Sequence, residues 1–288
     1  MDATCSICQA GALQPKYRIK QEMIYRCSRC GTETWDWHDT DPARLYGDAY
    51  FRGGDRNAGF EDYASLQDAV RCLARRRTAM LRRLLPDGKN LVEVGCAYGY
   101  FLDEARKAGF DVWGVDISPH ARSVAQTKYS LRVFADIADL HDVPAGQVDV
   151  VAMWDTLEHL PEPGRALQSA GSLLRPGGLV AISTGVVDTF WSRIQGRHWH
   201  LYSLPEHLFF FSRAGLATLL RREGFTDVVM QNEWASYPVW YLLERLERGI
   251  LKREVSRPDK VRHGILGLKL PASLGTVQRI VARKAVPA

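Results

Sequence analysis

The stretch that most constrains this chain is residues 90–119, which read as strand, glycine-bearing turn, helix and strand in quick succession. An apolar run at residues 91–94 leads into a turn that contains Gly95 and Gly99, and a second apolar run at residues 112–115 ends on Asp116. A carboxylate about 20 residues beyond such a turn is typical of a mononucleotide-binding half of a parallel sheet. The stretch therefore predicts a site for a nucleoside cofactor, although a glycine-bearing turn without a ligand has the same pattern.

The turn also indicates the chemistry of the cofactor. Tyr100 stands where a dinucleotide fingerprint needs its third glycine. Glu93 ends the first strand, where a carboxylate would repel a pyrophosphate but attract an ammonium group. These two residues disfavour an NAD-dependent oxidoreductase. They favour a cofactor with a ribose, whose two hydroxyls Asp116 would bind, and a cationic amino-acid tail.

These residues resemble a pattern of the class I S-adenosylmethionine (SAM) dependent methyltransferases. In that family, motif I is followed by a strand that ends in an acidic residue. The family motif reads acidic-x-Gly-x-Gly-x-Gly, and Ala97 replaces its middle glycine here. The turn at residues 174–178, Leu-Arg-Pro-Gly-Gly, is a second mark of the same family. The resemblance covers roughly residues 60–235. It implies an α/β fold with a Rossmann-like seven-stranded sheet in the order 3-2-1-4-5-7-6, in which the last strand falls near residues 277–283.

The resemblance also implies the residues that hold SAM. Asp136 would accept from the adenine amino group, unless it only caps a helix, and His159 would shape the pocket rather than act as a base. The predicted cofactor-binding residues are Glu93, Gly95, Cys96, Ala97, Gly99, Asp116, Ile117, Asp136, Ile137, Trp154, Asp155 and His159.

Four of the six cysteines form two pairs, Cys5-x-x-Cys8 and Cys27-x-x-Cys30. Two such knuckles joined by a ribbon of this length predict a four-cysteine zinc site, and a site with four thiolates keeps no open position for catalysis. The predicted Zn²⁺ is therefore structural. Two disulfides are the alternative, but they need an oxidising compartment that nothing in the sequence indicates. The basic residues of this ribbon form either a solvated face or a contact for RNA: Lys16, Arg18, Lys20, Arg26 and Arg29.

The sequence predicts three regions. Residues 1–34 form the zinc ribbon, residues 35–62 a connector, and residues 63–288 the methyltransferase domain, with an insertion at about 235–275 that starts with a helix at 237–252. Aromatic residues of the connector, Tyr46, Tyr50 and Phe51, form either a substrate lid or a contact between ribbon and domain. Aromatic residues at the start of the insertion, Trp234 among them, either roof an acceptor pocket or form a homodimer surface, so the oligomeric state stays open.

The acceptor site is expected in residues 196–212, where three histidines, a tyrosine and a glutamate stand among aromatic residues. Glu206-His207 resembles the Glu-His pair of zinc-containing sugar C-methyltransferases, in which the histidine is the implied general base. This resemblance makes His207 the predicted base and Glu206 the residue that orients it, with His200 and Tyr202 as further catalytic candidates. A purely packing or capping role for His207 is the alternative.

The composition fits a globular protein, because 46% of the residues are hydrophobic and 25% are charged. A net charge of +5 does not by itself predict nucleic-acid binding. There is neither an apolar run of membrane-spanning length nor an N-terminal signal pattern, so a cytoplasmic enzyme is expected.

We therefore predict methyl transfer from SAM to a hydroxyl or acidic carbon of a small molecule, such as a natural product or a sugar nucleotide. The alternatives are RNA methylation, in which the ribbon and the basic insertion hold the RNA, and a non-catalytic SAM-binding partner protein.

Overall fold

The computed structural model describes residues 4–38, 45–46, 48–51, 63–140, 142–143, 146–238, 269–273 and 275–286. The chain divides into two compact units. The ribbon unit contains residues 1–38, 184–218 and 230–279, and the sheet unit contains residues 39–183, 219–229 and 280–288. Most of the predicted insertion lies outside the described residues.

The main sheet has seven strands, which alternate with helices along the chain. Its strands are β4 (Asn90–Val94), β5 (Asp111–Val115), β6 (Val133–Phe134), β7 (Val148–Trp154), β8 (Leu174–Gly185), β10 (Phe225–Asn232) and β13 (Val277–Lys284). Their order is β6-β5-β4-β7-β8-β13-β10, which confirms the predicted order. The strand pairings from β6 across to β8 are parallel, so the carboxyl ends of β4, β5 and β7 lie at one edge. Ligands of such sheets bind at that edge.

The helices that flank these strands follow the apolar periodicity of the sequence. They are α1 (Asp48–Phe51), α2 (Gln67–Leu84), α3 (Tyr100–Lys107), α4 (Pro119–Tyr129), α5 (Pro163–Leu173), α6 (Phe190–Gln195) and α7 (Arg213–Arg222). In the sheet unit, Leu81 of α2 and Leu102 of α3 are completely buried in one core cluster with Leu91 and Val150 of the sheet. This packing fixes the turn between β4 and α3.

The start of α4 shows how local sequence fixes a boundary. The Ser118 hydroxyl accepts a hydrogen bond from the amide of Ala121, and Pro119 occupies the first turn. Serine at the cap and proline at the first helical position both favour helix initiation. The predicted cap is confirmed, and it places Asp116 just outside the helix.

The ribbon unit contains a second sheet, in the order β1-β2-β3-β9. Its strands are β1 (Leu13–Ile19), β2 (Glu22–Cys27), β3 (Glu33–Thr34) and β9 (Phe209–Phe210). The last pairing is antiparallel and aligns Glu33 with Phe210 and Thr34 with Phe209. The ribbon is thus completed by a strand from the predicted acceptor segment.

The structure corrects one element of the insertion. Tyr237 and Pro238 belong to strand β11 (Ala235–Pro238), which pairs antiparallel with β12 (Lys269–Ala272), so the predicted helix start at residue 237 is wrong. Proline lacks an amide donor, and an edge strand tolerates this better than a helix interior does. Among the described residues, no helix has both the length and the apolar character needed to cross a bilayer.

Candidate functional site

The turn after β4 brings the backbone close to the neighbouring strand ends. Gly95 has φ +76°, and a Cβ built on it would lie 2.5 Å from Thr156 Oγ1. Gly99 also has φ +76°, and a Cβ there would lie 2.4 Å from a methyl carbon of Leu131. Ala97 takes a positive φ of 47° at the position of the middle family glycine. The turn therefore needs glycine at two positions and accepts alanine at the third.

Glu93 is a buried carboxylate at the end of β4. Glu93 is 3% exposed, and its Oε2 accepts no hydrogen bond from any part of the chain that the structure describes. Burial raises the pKa of Glu93 well above its ordinary value, and the positive charge of Arg77 opposes this rise. A buried carboxylate in this state favours a cationic ligand group. The ammonium group of SAM has that chemistry.

Asp116 lies beside the same turn, at the end of β5. Its Oδ2 accepts from the amide of Ala97 at 2.7 Å and its Oδ1 from the amide of Ser118 at 2.9 Å. Burial raises the pKa of Asp116, and these two backbone donors oppose the rise. A carboxylate oxygen has more than one acceptor site, so both oxygens can also accept from ribose hydroxyls. Together, Glu93 suits the ammonium group and Asp116 the ribose of a nucleoside that carries an amino-acid tail.

Arg77, which interrupts the apolar face of α2, is not among the predicted site residues. Its guanidinium is buried, donates to the Ser183 hydroxyl at 2.9 Å and lies 3.5 Å from the Asp155 carboxylate. The same group lies 4.3 Å from the centre of the Trp154 ring. Arg77 therefore places a positive charge at the carboxyl ends of β7 and β8. The signal in the sequence was the single arginine on an otherwise apolar helix face.

Described residues of the connector contact the ends of two central strands. Phe51 stacks on Tyr98 of the cofactor turn, with ring centres 5.2 Å apart. The Tyr46 hydroxyl is hydrogen-bonded to His159 Nδ1, after β7, at 2.7 Å. Since β4 and β7 are neighbours in the sheet, these aromatic residues pack along its carboxyl edge. A lid function for them stays a prediction.

The other predicted cofactor residues differ in exposure. Asp136 is exposed, and its side chain accepts from the amide of Ala138 in a capping box. This is the alternative capping role, and its contact with adenine stays a prediction. Ile117 is half exposed and Asp155 is exposed, whereas Cys96 and Trp154 are buried. Ile137 is half-buried on the short turn after Asp136.

The four ribbon cysteines converge on one point. Their sulfur atoms all lie within 4.8 Å of one another, at 3.8 Å between Cys5 and Cys30 and 3.6 Å between Cys8 and Cys27. A tetrahedral zinc with Zn–S bonds of about 2.3 Å places its sulfurs about 3.8 Å apart. The amides of Arg29 and Cys30 also donate to the Cys27 sulfur, a contact that stabilises a thiolate. All six cysteines are free, so the structure contains neither of the alternative disulfides.

His207 has a defined ring orientation. Its Nδ1 lies 2.9 Å from the carbonyl oxygen of Leu201, so Nδ1 carries the proton and Nε2 holds the lone pair of the neutral ring. The orienting role that the sequence predicts for Glu206 stays a prediction, because the hydrogen bond seen at Nδ1 is the one to Leu201. Glu206 Oε2 accepts from the Ser203 hydroxyl at 3.0 Å.

The two further catalytic candidates have other contacts. The Tyr202 hydroxyl donates to Glu33 Oε2 at 2.6 Å. Burial raises the pKa of Tyr202, and the negative charge of Glu33 raises it further. Tyr202 therefore stays protonated at neutral pH, which fits a donor and not a base. His200 Nδ1 lies 3.3 Å from the side-chain oxygen of Gln195.

Comparison with known proteins identifies the domain. Residues 66–229, more than half of the chain, match a family described as "Methyltransferase domain". The chain belongs to this methyltransferase family. Membership confirms the prediction of a methyltransferase domain and fits the Rossmann-like sheet. The matched region begins in the short turn before α2 and ends within β10, so it leaves out the ribbon.

Curated relatives of this methyltransferase domain include two ubiquinone biosynthesis O-methyltransferases. The protein from Shewanella halifaxensis is 33% identical over 126 residues, which are 41% of this chain and 53% of the relative. The protein from Bordetella avium is 31% identical over 152 residues, 48% of this chain and 62% of the relative. The chain thus spans between about half and two thirds of the length of these relatives.

Solved structures share the fold of this methyltransferase. A SAM-dependent methyltransferase from Thermotoga maritima, described as a possible histamine N-methyltransferase, aligns with a TM-score of 0.52 at 18% identity. The alignment covers 82% of this chain and 98% of that protein. At this identity the likeness supports the fold alone.

Proposed function

We propose that this methyltransferase transfers the methyl group of SAM to a hydroxyl or an acidic carbon of a small-molecule acceptor, with His207 as general base. The single observation that carries the proposal is the buried Glu93 carboxylate near the end of β4. One of its oxygens accepts no hydrogen bond from the described residues, and it lies beside the turn that Asp116 holds. SAM supplies an electrophilic methyl group on its sulfonium. Glu93 would bind its ammonium group and Asp116 its ribose hydroxyls.

The choice of acceptor rests on the relatives and on the acceptor segment. The curated relatives are O-methyltransferases, which supports an oxygen acceptor. Methyl transfer from a sulfonium is an in-line displacement, so the protein aligns the reactants and removes the acceptor proton. His207 suits the second task because the Leu201 carbonyl fixes the proton on Nδ1 and leaves Nε2 as the basic nitrogen.

The proposal includes a structural Zn²⁺ held by Cys5, Cys8, Cys27 and Cys30. The spacing of the sulfurs supports this assignment, and four thiolate ligands close the coordination sphere. We expect the metal to keep the ribbon ordered and to take no part in the methyl transfer step itself.

RNA methylation has less support than a small-molecule acceptor. Lys16 and Arg26 are paired with the buried Glu33, at 2.6 and 3.3 Å. Lys20 donates to the carbonyl oxygen of Leu204 at 3.3 Å. Three of the five basic ribbon residues thus serve contacts inside the ribbon unit, which leaves fewer cations for phosphate groups.

The test is incubation of the zinc-loaded protein with methyl-labelled SAM and separate pools of RNA, nucleotide sugars, simple phenols and cell metabolites. We expect label in a small molecule, and label in RNA alone would overturn the acceptor proposal. His207→Gln should lower the rate of methyl transfer by about 100-fold or more, while SAM affinity measured by calorimetry stays unchanged. His198→Gln is the matched control, because His198 is exposed in the same segment. Failure of the wild-type protein to bind SAM would overturn the whole proposal.

A further inference from the structure

Glu33 is a buried carboxylate that belongs to the ribbon but contacts the acceptor segment. It lies in β3 and is 0% exposed. Its Oε1 accepts from Lys16 at 2.6 Å and from Arg26 at 3.3 Å, and its Oε2 accepts from Tyr202 at 2.6 Å. A buried carboxylate is costly unless it is paired and hydrogen-bonded, so these three donors stabilise the arrangement together.

Tyr202 connects Glu33 to the peptide that orients His207. Tyr202 packs against Trp199 and Phe210, with ring centres 5.2 and 4.8 Å away. The residue before it, Leu201, supplies the carbonyl oxygen that accepts from His207 Nδ1 at 2.9 Å. The Tyr202 ring therefore helps to hold the peptide that carries this carbonyl, together with the Tyr202 amide, which donates to the carbonyl oxygen of Trp199 at 3.0 Å. A contiguous series of contacts runs from Glu33 through Tyr202 and Leu201 to the His207 ring.

The ribbon also holds the backbone at His207. Trp35 Nε1 donates to the carbonyl oxygen of His207 at 2.8 Å, and Thr34 Oγ1 donates to the carbonyl oxygen of Leu208 at 2.8 Å. Strand β3 then pairs with β9 directly after these residues. The main chain at His207 and Leu208 is thus held by ribbon residues.

We propose that Glu33 is a positioning residue, which through Tyr202 holds the Leu201 carbonyl that keeps the His207 proton on Nδ1. The ribbon then determines which nitrogen of His207 is basic. This inference rests on the proposed role of His207, and it adds a function for the ribbon beyond metal binding. If the Glu33 contact is lost, the Leu201 carbonyl shifts, and His207 populates both neutral tautomers. Only one of them presents a lone pair at Nε2.

The test uses the zinc-loaded full chain with ¹⁵N-labelled histidine, at about pH 8, where an ordinary imidazole is neutral. Long-range ¹H–¹⁵N spectra report the tautomer of each ring, and His207→Gln assigns the signal. We compare Tyr202→Phe, Glu33→Ala and Glu33→Gln with the wild type. Tyr25→Phe is the matched control, because it removes a hydroxyl from β2 of the same ribbon.

The wild type and Tyr25→Phe should show a single Nδ1–H form of His207. Tyr202→Phe and Glu33→Ala should show a mixture of tautomers and amide exchange at residues 199–210 that is faster by about tenfold. Glu33→Gln should restore most of the wild-type signal, because its amide oxygen can accept from Tyr202. An unchanged single tautomer and unchanged exchange in Tyr202→Phe would overturn the inference, and this variant decides the question if Glu33→Ala does not fold.

Calorimetry with SAM on the same samples separates this inference from the proposed function. Tyr202→Phe should bind SAM within about twofold of the wild type, because the affinity for SAM is expected to depend on Glu93 and Asp116. If the wild type bound no SAM, the proposed function would fail, whereas the tautomer spectra would still decide the role of Glu33.

Discussion

Trp35 donates a hydrogen bond from its indole nitrogen to the main-chain carbonyl oxygen of His207, at 2.8 Å. Trp35 is 6% exposed, so water does not compete freely for this bond. The contact ties the residue that follows the short strand β3 to the predicted general base. The ribbon and the acceptor segment therefore form one structural unit, although they are far apart in the sequence.

Glu93 should make both stability and SAM affinity depend on pH. Its raised pKa means that the folded protein without SAM holds this proton more tightly than the unfolded chain does. The stability that this gives is fully present below the ordinary pKa of glutamic acid, and it is lost as pH rises through the raised pKa. SAM affinity should change in the opposite direction, because only ionised Glu93 attracts the ammonium group.

Thermal unfolding and calorimetry from about pH 5 to about pH 8 measure the two effects. Glu93→Gln removes the titrating proton, so both pH profiles should become flatter and SAM should bind more weakly. A Glu93→Gln protein with the wild-type pH profile for SAM binding would contradict this assignment.

Asp116→Asn should weaken SAM binding by about 10-fold to 100-fold, which corresponds to loss of charge-assisted hydrogen bonds worth about 1.5–3 kcal/mol. Isothermal calorimetry at neutral pH gives the dissociation constant. Asp111→Asn is the control, because Asp111 is exposed at the opposite end of β5. Equal effects of the two variants would remove Asp116 from the site.

Arg77→Met should weaken SAM binding by about tenfold at neutral pH, because Glu93 loses the cation that lowers its pKa. The loss should become smaller at higher pH, where Glu93 ionises without help. Arg76→Met changes an exposed neighbour on α2 and should leave SAM affinity unchanged. The deciding measurement is the ratio of the SAM dissociation constant of Arg77→Met to that of Arg76→Met, taken over a range of pH.

Zinc should bind in a ratio of one ion per chain, as mass spectrometry of the native protein can show. Cys27→Ser should lose the metal and increase amide exchange in residues 199–212, because β3 and Trp35 then lose their fixed position. Cys72→Ser is the control, since Cys72 lies on α2 and belongs to neither cysteine pair. Retention of one tightly bound zinc by Cys27→Ser would contradict the four-cysteine site.

Much of the sheet and its cofactor turn could be predicted from local sequence. Gly95 and Gly99 occupy positions where a Cβ would collide with a neighbour. The lack of space for a side chain is therefore evident in the sequence as glycine. The strand order followed from the family resemblance and is confirmed. Asp116 could be found because it directly follows an apolar strand.

Other features depend on contacts between distant residues, which periodicity cannot show. Glu33 and Tyr202 are 169 positions apart, and β9 is only two residues long within an aromatic run. The helix start predicted at residue 237 was wrong because the aromatic spacing there also fits a short edge strand. Arg77 was visible as an interruption, but its partners Ser183 and Asp155 were not.

The pairing of β3 with β9 also has a consequence for biosynthesis. During translation the ribbon leaves the ribosome long before residues 199–210 are made, so the nascent β3 has an open edge and Glu33 has no phenol donor until then. The four cysteines can bind a metal before residues 199–210 are made, whereas the four-stranded sheet can form only afterwards. A ribbon produced alone, cut at the boundary that the sequence suggests, would therefore expose an unpaired strand edge. It would associate with other chains instead of folding as an independent domain.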